Sequence, residues 1–348
     1  MDIKRPANLS KDIKDLSYSE LGDLTARKGL PSYRTDQLFS YLYKKRISEF
    51  SEITVFSKEL RAELASEFSI KSFSVESHQI SKIDNSEKFL FRLKDDNFIE
   101  TVYLPTEKRR TVCISCQVGC RMGCTFCATA GDGLIRNLTA GEIIEQLLFL
   151  EDLSQKKENS RISNVVFMGM GEPFDNYENV MKAAETISDI NGINISSRKI
   201  TISTCGLIPG LKRYFTEKRK FKLAISMNSP FDDERNTMMP VNRKYPIREI
   251  IELAKPHSGG FHNRVTFEYI MMKDNVSREH ADEIIRLLGK GKFKLNLIPY
   301  NCNDSMMSGE SQPSEPETKK FHGYFLDSPL QVMMRNSLGR DIDGACGM

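Results

Sequence analysis

The sequence lacks the features of a membrane or secreted protein. No run of apolar residues approaches the ~18 that a membrane-spanning helix needs. Its first five residues, M-D-I-K-R, contain no apolar core of a signal peptide. The net charge is only +3, so the bulk charge favours no class of partner. We therefore expect a cytoplasmic protein that is a monomer and has no membrane partner.

Cysteine is the residue type that stands out in the composition. Eight cysteines are present among 348 residues, and five of them lie between positions 113 and 127. A disulfide scaffold does not fit a chain of this length without a signal peptide. Closely spaced cysteines in such a chain indicate metal binding or redox chemistry.

Two regions precede the cysteines. Residues 1–75 carry apolar positions at helical spacing, as in T-D-Q-L-F-S-Y-L-Y at 35–43, and predict a small helical accessory domain. Residues 76–110 predict a β-hairpin connection, because alternating segments at 88–92 and 98–104 flank the turn K-D-D-N. Length alone, at ~100–200 residues per domain, also predicts one large domain and a smaller one.

From residue 111 to residue 348 the pattern changes to strands that alternate with helices. A capping box, T-A-G-E at 139–142, opens one helix, Pro246 opens another, and Ser277 caps a third at 278–288. Six βα units predict a parallel sheet but are too few for an eight-fold barrel. We predict an α/β fold with a partial (β/α)6 TIM-like barrel, in preference to an open doubly wound sheet. The predicted strands span 111–115, 164–168, 199–203, 222–226, 264–271 and 293–298, with a last short one at 332–335.

Polar residues follow four of these strands at the point where each strand ends. They are Gly171 with Glu172, Ser203, Ser226 with Asn228, and Asn301. In both candidate folds the chemistry lies at the carboxyl ends of the parallel strands. Glycine lets a ligand approach the backbone, and Glu172 can accept a hydrogen bond from an ammonium group, although a tight βα turn would explain the same residues. We expect these residues to form the rim of a pocket.

The spacing Cys120-x-x-x-Cys124-x-x-Cys127 is the strongest functional signal. Thiolates hold iron–sulfur clusters, normally four to each 4Fe-4S cluster. Three ligands on one loop leave the fourth iron open to the amino and carboxylate groups of S-adenosyl-L-methionine (SAM). Zinc is the competing interpretation, but its sites usually use paired C-x-x-C or C/H ligands, and the sequence offers no second pair.

Other candidate residues have ordinary explanations when each is taken alone. Cys113, on the strand before the cysteine loop, fits a core position, and Cys346 fits an incidental thiol. Glu100, on the outgoing hairpin strand, fits a solvent-facing charge. The basic runs at 108–110 and 218–222 fit either phosphate contacts or a solvated surface.

Taken together, these motifs resemble those of the RlmN/Cfr family of radical SAM RNA methyltransferases, and the RlmN branch most closely. The resemblance extends from the accessory domain to the last residue. It rests on L-P-S-Y-R-T-D-Q (30–37), E-T-V-Y-L-P (100–105), Q-V-G-C-R-M-G-C-T-F-C (117–127), M-G-M-G-E-P (168–173), R-K-I-T-I-S-T (198–204), N-L-I-P-Y-N (296–301) and D-I-D-G-A-C-G (341–347).

The resemblance implies a radical SAM barrel with two cofactors, a 4Fe-4S cluster on the three loop cysteines and SAM. In this family one SAM molecule methylates a cysteine. A second, on the cluster, gives a radical that removes hydrogen from the S-methyl group, and the resulting methylene radical adds to an adenine carbon in RNA. The positions that correspond to the family's SAM contacts are Gly171, Glu172, Ser203, Ser226, Met227, Asn228 and Asn301.

The resemblance also implies three catalytic residues. Cys346 corresponds to the methyl carrier, Cys113 to the cysteine that attacks its sulfur and forms a disulfide, and Glu100 to the proton acceptor. The implied partners are 23S rRNA and tRNA, methylated at C2 of adenosine, and an electron donor such as flavodoxin or ferredoxin. Two alternatives stay open. One is methylation at C8 of 23S rRNA adenosine, which Pro173 disfavours, and the other is a non-catalytic RNA-binding relative, which the intact cysteine set disfavours.

Overall fold

A computed structural model of the chain describes residues 11–131, 133–258, 265–301, 312–335 and 337–345. Cys346, the predicted methyl carrier, lies outside the described residues, as does Cys302. In the described ranges, no helix combines the length and the apolar character needed to cross a bilayer.

The first described region is helical, as predicted. Its elements are β1 (Lys11–Asp12), α1 (Tyr18–Arg27), α2 (Tyr33–Tyr43), α3 (Lys58–Glu67) and β2 (Phe68–Ser69). The Ser17 side chain accepts from the Glu20 backbone in a capping box that starts α1, and Ser57 caps α3. The parallel pairing of β1 with β2 brings the two ends of this region together.

Among the described residues, ten strands build the main sheet and two more form a separate ribbon. The ten are β3 (Phe73–Ile80), β4 (Glu87–Leu93), β5 (Phe98–Pro105), β6 (Arg110–Cys113), β9 (Asn164–Phe167), β10 (Ile200–Thr204), β11 (Lys222–Ser226), β12 (Thr266–Met271), β13 (Lys294–Pro299) and β14 (Gln331–Met334). The ribbon pairs β7 (Gln117–Gly119) with β8 (Leu134–Asn137). The sheet order is β14-β13-β12-β11-β10-β9-β6-β5-β4-β3.

The pairing directions in this sheet are those of a βα barrel extended by hairpins. From β6 to β14 every neighbouring pair is parallel and the strands follow one another in chain order. β3, β4 and β5 join antiparallel to one another and to β6. The predicted α/β class and strand succession are therefore confirmed.

Helices connect the parallel strands. They are α4 (Ala140–Glu158), α5 (Tyr177–Ser188), α6 (Ile208–Thr216), α7 (Asp232–Met238), α8 (Ile247–Ala254), α9 (Arg278–Leu288) and α10 (Glu315–Gly323). The capping box at Thr139 is present, and Ser277 caps α9 at the predicted residues. Pro246 is the cap residue just before α8 and not its first residue.

Contacts between strands that are not neighbours show that the sheet is curved. Ser203 on β10 reaches Glu268 on β12 across the intervening strand, with 3.3 Å between Oγ and Oε2. Arg335, just after β14, donates to the sulfur of Met168, just after β9, at 3.7 Å. Side chains of separate strands therefore converge at one mouth, as in the predicted partial barrel.

The strand β3 differs from the prediction, which made the chain helical up to residue 75. Seven of its eight residues are exposed. No alternation of buried and exposed positions marks this segment, because it forms the outer edge of the sheet. The domain boundaries at residues 75 and 110 stay a prediction.

The helical region packs on the barrel helices α4 and α5. The Asp15 carboxylate accepts a hydrogen bond from Gly141 N at 2.8 Å at the start of α4. Lys182 on α5 pairs with Glu20 at 2.8 Å. These contacts hold the region against the outer layer of the barrel.

Candidate active site

The cysteine loop connects the two strands of the ribbon, β7 and β8. At its base, Cys120 N donates to Gly133 O at 2.8 Å. Gly119 has φ +72°, and a Cβ at this position would lie 1.9 Å from Gly133 O. Only glycine fits there, so the position of Cys120 is fixed by the close approach of the two loop ends.

The far side of the loop is tied to the last residue of α7. Thr125 N donates to Met238 O at 3.0 Å, and Cys127 N donates to Cys124 O at 3.2 Å. Cys124 and Cys127 pack against a small apolar cluster separate from the main core. Its buried members are Phe126, Cys205, Met239, Ile270 and Tyr300. Two of the three cysteines therefore border an apolar cluster at the carboxyl ends of the strands.

The thiols of the loop influence one another electrostatically. Burial raises the pKa of Cys120 to about 12. Burial also raises the pKa of Cys124, and the charges of Cys127 and Cys120 raise it further. Binding to iron reverses this balance, because a coordinated thiol is deprotonated outright. The donor set therefore fits a cationic cluster that stabilises the thiolates.

In the part of the chain that the structure describes, no three His, Cys, Asp or Glu side chains are grouped to hold a metal ion. The zinc alternative therefore has no ligand set among these residues. A 4Fe-4S cluster places a different demand on its ligands, because each thiolate binds a separate iron.

Asn301 supplies a second observation that fits a bound cofactor. It follows Tyr300 of the apolar cluster and is buried. Its Nδ2 donates to Ser337 Oγ at 2.9 Å, but no donor among the described residues reaches its Oδ1. A buried acceptor without a partner costs about 1–3 kcal/mol. This oxygen is therefore suited to a donor such as the amino group of SAM.

Glu172 lies fully inside the protein after β9. Its carboxylate accepts hydrogen bonds from Thr204 Oγ1 at 2.6 Å, Cys205 N at 2.8 Å and Phe174 N at 2.9 Å. Burial raises its pKa, although these bonds oppose the rise. Before it, Gly171 has φ +104°, and a Cβ there would lie 2.6 Å from Gln117 Cβ. The turn is therefore closely packed on the cysteine-loop ribbon.

The residues at the end of β11 serve mainly to hold neighbouring backbone. Met227 is fully buried in the core. Asn228 has φ +58°, its Oδ1 accepts from Ile270 N at 3.0 Å, and its Nδ2 lies 3.2 Å from Met239 Sδ. Both ends of its amide are thus already in contact with protein. The SAM contacts predicted for the seven residues all stay predictions: Gly171, Glu172, Ser203, Ser226, Met227, Asn228 and Asn301.

Glu100 lines a pocket of about 430 Å³ beside the cysteine loop. Its lining includes Met170 after β9, Thr129 of the cysteine loop and Asp343 of the segment that leads to Cys346. Cys113 ends β6 on the neighbouring strand, where it pairs with Val102 of β5. Glu100 and the segment that leads to Cys346 thus border one pocket, and Cys113 lies on the strand next to that of Glu100. The roles of the three residues stay predictions. No disulfide is present among the described residues.

Comparisons with known proteins agree with this geometry. The family model for the radical SAM superfamily matches residues 114–288. The family model for the ribosomal RNA large subunit methyltransferase N-terminal domain matches residues 11–70. A probable dual-specificity RNA methyltransferase RlmN from Clostridium novyi is 38% identical over 97% of both chains. A dual-specificity RNA methyltransferase RlmN from Syntrophotalea carbinolica is 37% identical over 100% of this chain and 91% of its own.

A solved structure agrees as well. The crystal structure of a radical SAM methyltransferase from Sphaerobacter thermophilus superposes with a TM-score of 0.91 at 37% identity, covering 97% of this chain and 98% of that chain. The chain belongs to the RlmN family. Its cysteine loop lies inside the matched radical SAM region, which confirms the predicted 4Fe-4S cluster and SAM as its cofactors.

Two buried charges near this RlmN-family site were not found from the sequence. Arg235 on α7 is fully buried, and burial lowers its pKa to about 10. It donates to the carbonyls of Cys205, Ser226 and Met227 at 2.8–2.9 Å and to Asn242 Oδ1 at 2.5 Å. Its run, D-D-E-R-N, reads like an exposed helix, so the sequence held no signal for it.

Glu268 is the second buried charge that was not found from the sequence. It lies between Ser203 and Asn296, 3.5 Å from Asn296 Nδ2, and burial raises its pKa although the charge of Arg335 opposes the rise. A lone carboxylate in the apolar strand T-F-E-Y-I-M was the signal that could have revealed it.

The predicted basic clusters lie at the opposite end of the barrel from the cysteines. Arg110 begins β6 and pairs with Glu158, so it is part of an ion pair. Lys222 begins β11, and burial together with the charges of Lys294, Lys199 and Arg109 lowers its pKa. Members of both basic runs therefore meet near the amino ends of the strands, and their role in RNA binding stays a prediction.

Proposed function

We propose that the chain is a cytoplasmic, monomeric RNA methyltransferase that methylates C2 of adenosine in 23S rRNA and tRNA through an S-methylcysteine at Cys346. One observation carries the proposal. The Glu100 pocket is bounded by the cysteine loop on one side and by the segment that leads to Cys346 on the other. The names of the relatives, which describe dual-specificity RNA methyltransferases, support RNA as the substrate.

Cys120, Cys124 and Cys127 would hold the cluster, and Asn301 and Glu172 would contact SAM. With both groups bound, an electron passed from flavodoxin or ferredoxin through the cluster would cleave SAM to methionine and a 5′-deoxyadenosyl radical. The apolar cluster around Phe126 and Tyr300 excludes water from the place where this chemistry occurs. Excluding water protects reactive species from side reactions.

The remaining steps fall to the chain's own thiols and carboxylate. Ala345 is buried and lies two residues after Asp343 of the pocket lining. In the proposal Cys346 carries the methyl group, and Glu100 accepts a proton from the modified base. Once the adduct has given its odd electron to a one-electron acceptor, for which the oxidised cluster would serve, the Cys113 thiolate attacks the sulfur of Cys346. The S–S bond forms as the S–C bond breaks, the electron pair of that bond stays on the product carbon, and a proton completes the methyl group. A cellular thiol then reduces the disulfide before the next turnover.

The experiment that tests the function is a reaction of anaerobically reconstituted protein with 23S rRNA fragments and tRNA. Nucleosides are then compared by mass spectrometry with 2-methyl- and 8-methyladenosine standards. We expect 2-methyladenosine in both RNAs, because Pro173 follows Gly171 and Glu172 as in the RlmN pattern. The C8 product would replace this proposal with its alternative, and RNA binding without SAM cleavage would leave a non-catalytic relative.

A further inference from the structure

The last described residues dock on the loop between β3 and β4. The Asp341 carboxylate accepts hydrogen bonds from Ser81 Oγ at 2.6 Å and from Lys82 N at 2.9 Å. Gly339 N donates to Asp84 Oδ2 at 2.8 Å. Residues 339–345, called the C-terminal segment below, are therefore fixed at three points to a loop on the hairpin side of the sheet.

The segment is also folded and packed. Gly344 N donates to Gly339 O at 2.8 Å, which closes a compact turn. Ile342 and Ala345 are only 7% and 9% exposed. The segment therefore has a defined place beside the pocket, and Cys346 follows its last residue directly.

Lys88 on β4 lies between this segment and Glu100. Its Nζ donates to Asp343 O at 3.3 Å and lies 3.3 Å from Glu100 Oε1. The Lys88 side chain is 13% exposed and that of Glu100 is 36% exposed, so the lysine end of this pair is more sheltered than in an ion pair in open water, which contributes little. Lys88, Glu100 and Asp343 line the same pocket. One ammonium group thus contacts both the segment and the carboxylate.

We propose that Lys88 is a positioning residue that holds the C-terminal segment and the Glu100 carboxylate at one point of the pocket. The inference rests on the proposed function, in which Cys346 carries the transferred carbon and Glu100 accepts a proton. Because the segment and the carboxylate share one charged donor, this donor fixes the distance between them before RNA enters the pocket. Lys88 itself has no contact with the reacting atoms in this scheme.

The test compares Lys88→Met, Lys88→Gln and Lys88→Arg with the wild-type protein, with the cluster reconstituted in each. Lys157→Met is the matched control, because Lys157 pairs with Glu87, the residue before Lys88, and bonds neither Glu100 nor Asp343. Two quantities are measured. The first is amide hydrogen exchange in the peptide that contains residues 339–345, without RNA. The second is the rate of RNA methylation, with iron content and the melting temperature as checks of folding.

We expect Lys88→Met to speed exchange in this peptide by about tenfold and to slow methylation by at least about as much, since a hydrogen bond to a charged group is lost. Lys88→Gln should change both quantities in the same direction, and it replaces Lys88→Met as the test if the methionine variant does not fold. Lys88→Arg should keep most of the protection, and Lys157→Met should match the wild type in both measurements.

The proposal is overturned if exchange in Lys88→Met and Lys88→Gln matches the wild type, or if Lys157→Met causes the same loss. A wild-type protein that methylates no RNA would defeat the proposed function alone. The exchange comparison would still decide whether Lys88 holds the segment.

Discussion

The Arg235 guanidinium donates from Nη2 to the Cys205 carbonyl oxygen at 2.8 Å, directly behind the apolar cluster that borders the cysteine loop. Because Arg235 also satisfies two carbonyls at the end of β11, its loss leaves several buried acceptors without donors. We expect Arg235→Met to lower the free energy of unfolding by about 3 kcal/mol or more.

Urea denaturation of iron-free protein measures this change. Arg248→Met is the control, because Arg248 is 59% exposed and its ion pair with Glu283 is a surface one. The control should lose no more than about 1 kcal/mol. Equal losses in the two variants would show that the buried contacts of Arg235 contribute nothing special.

Substituting a cysteine of the loop tests the cluster. Reconstituted wild-type protein should hold about four irons and cleave SAM reductively. Alanine at position 120, 124 or 127 should abolish SAM cleavage and lower the iron content, because each thiolate binds a separate iron. Cys116→Ala, which replaces a buried cysteine in the same run of sequence, should keep both the iron and the SAM cleavage. Stoichiometric zinc without iron uptake would contradict the cluster.

The role of Cys113 is tested by trapping. In Cys113→Ala the methyl carrier and the radical step remain, but the thiolate that releases the product is missing. Protein should therefore accumulate covalently joined to RNA, seen as a ribonuclease-sensitive shifted band in denaturing electrophoresis. The double variant with Cys346→Ala should give no such band. Normal turnover by Cys113→Ala would mean that Cys113 is a core residue and does not release the product, which its position on β6 also fits.

The ribbon that supports the cysteine loop should weaken in acid. Arg136 on β8 bonds the carboxylates of Asp95 and Glu142. Burial alone would raise the pKa of Asp95, but the bond and charge of Arg136 lower it below its ordinary value. The stabilisation is therefore fully present above the unfolded pKa of ~3.9 and is lost as the pH falls through the lower folded value.

We expect Asp95→Asn to be destabilising at pH 7 and the difference from the wild type to shrink below about pH 4. Unfolding measured across this pH range checks the prediction. Asp96→Asn is the control, because the Asp96 side chain is 85% exposed. A difference that stays constant down to acid pH would mean that ionisation of Asp95 plays no part.

Local signals made parts of this molecule predictable. A cap residue followed by an apolar face fixes a helix within a few residues, so Ser277 and α9 were found at the right positions. The cysteine spacing is likewise a property of one short run. Lys88 escaped prediction because Asp343, one of its partners, lies 255 positions away. Arg235 escaped because three of its acceptors are backbone carbonyls, which leave no pattern in the sequence.

The docked C-terminal segment also has a consequence for the order of folding. Gly339 and Asp84 are 255 positions apart, whereas the strands β4 and β5 pair across a short turn. Contacts between distant residues carry the greater loop-closure entropy and tend to form late, after hairpins that assemble in microseconds. Refolding should therefore restore the sheet first and the mouth of the pocket last, so recovery of catalysis should lag behind recovery of secondary structure.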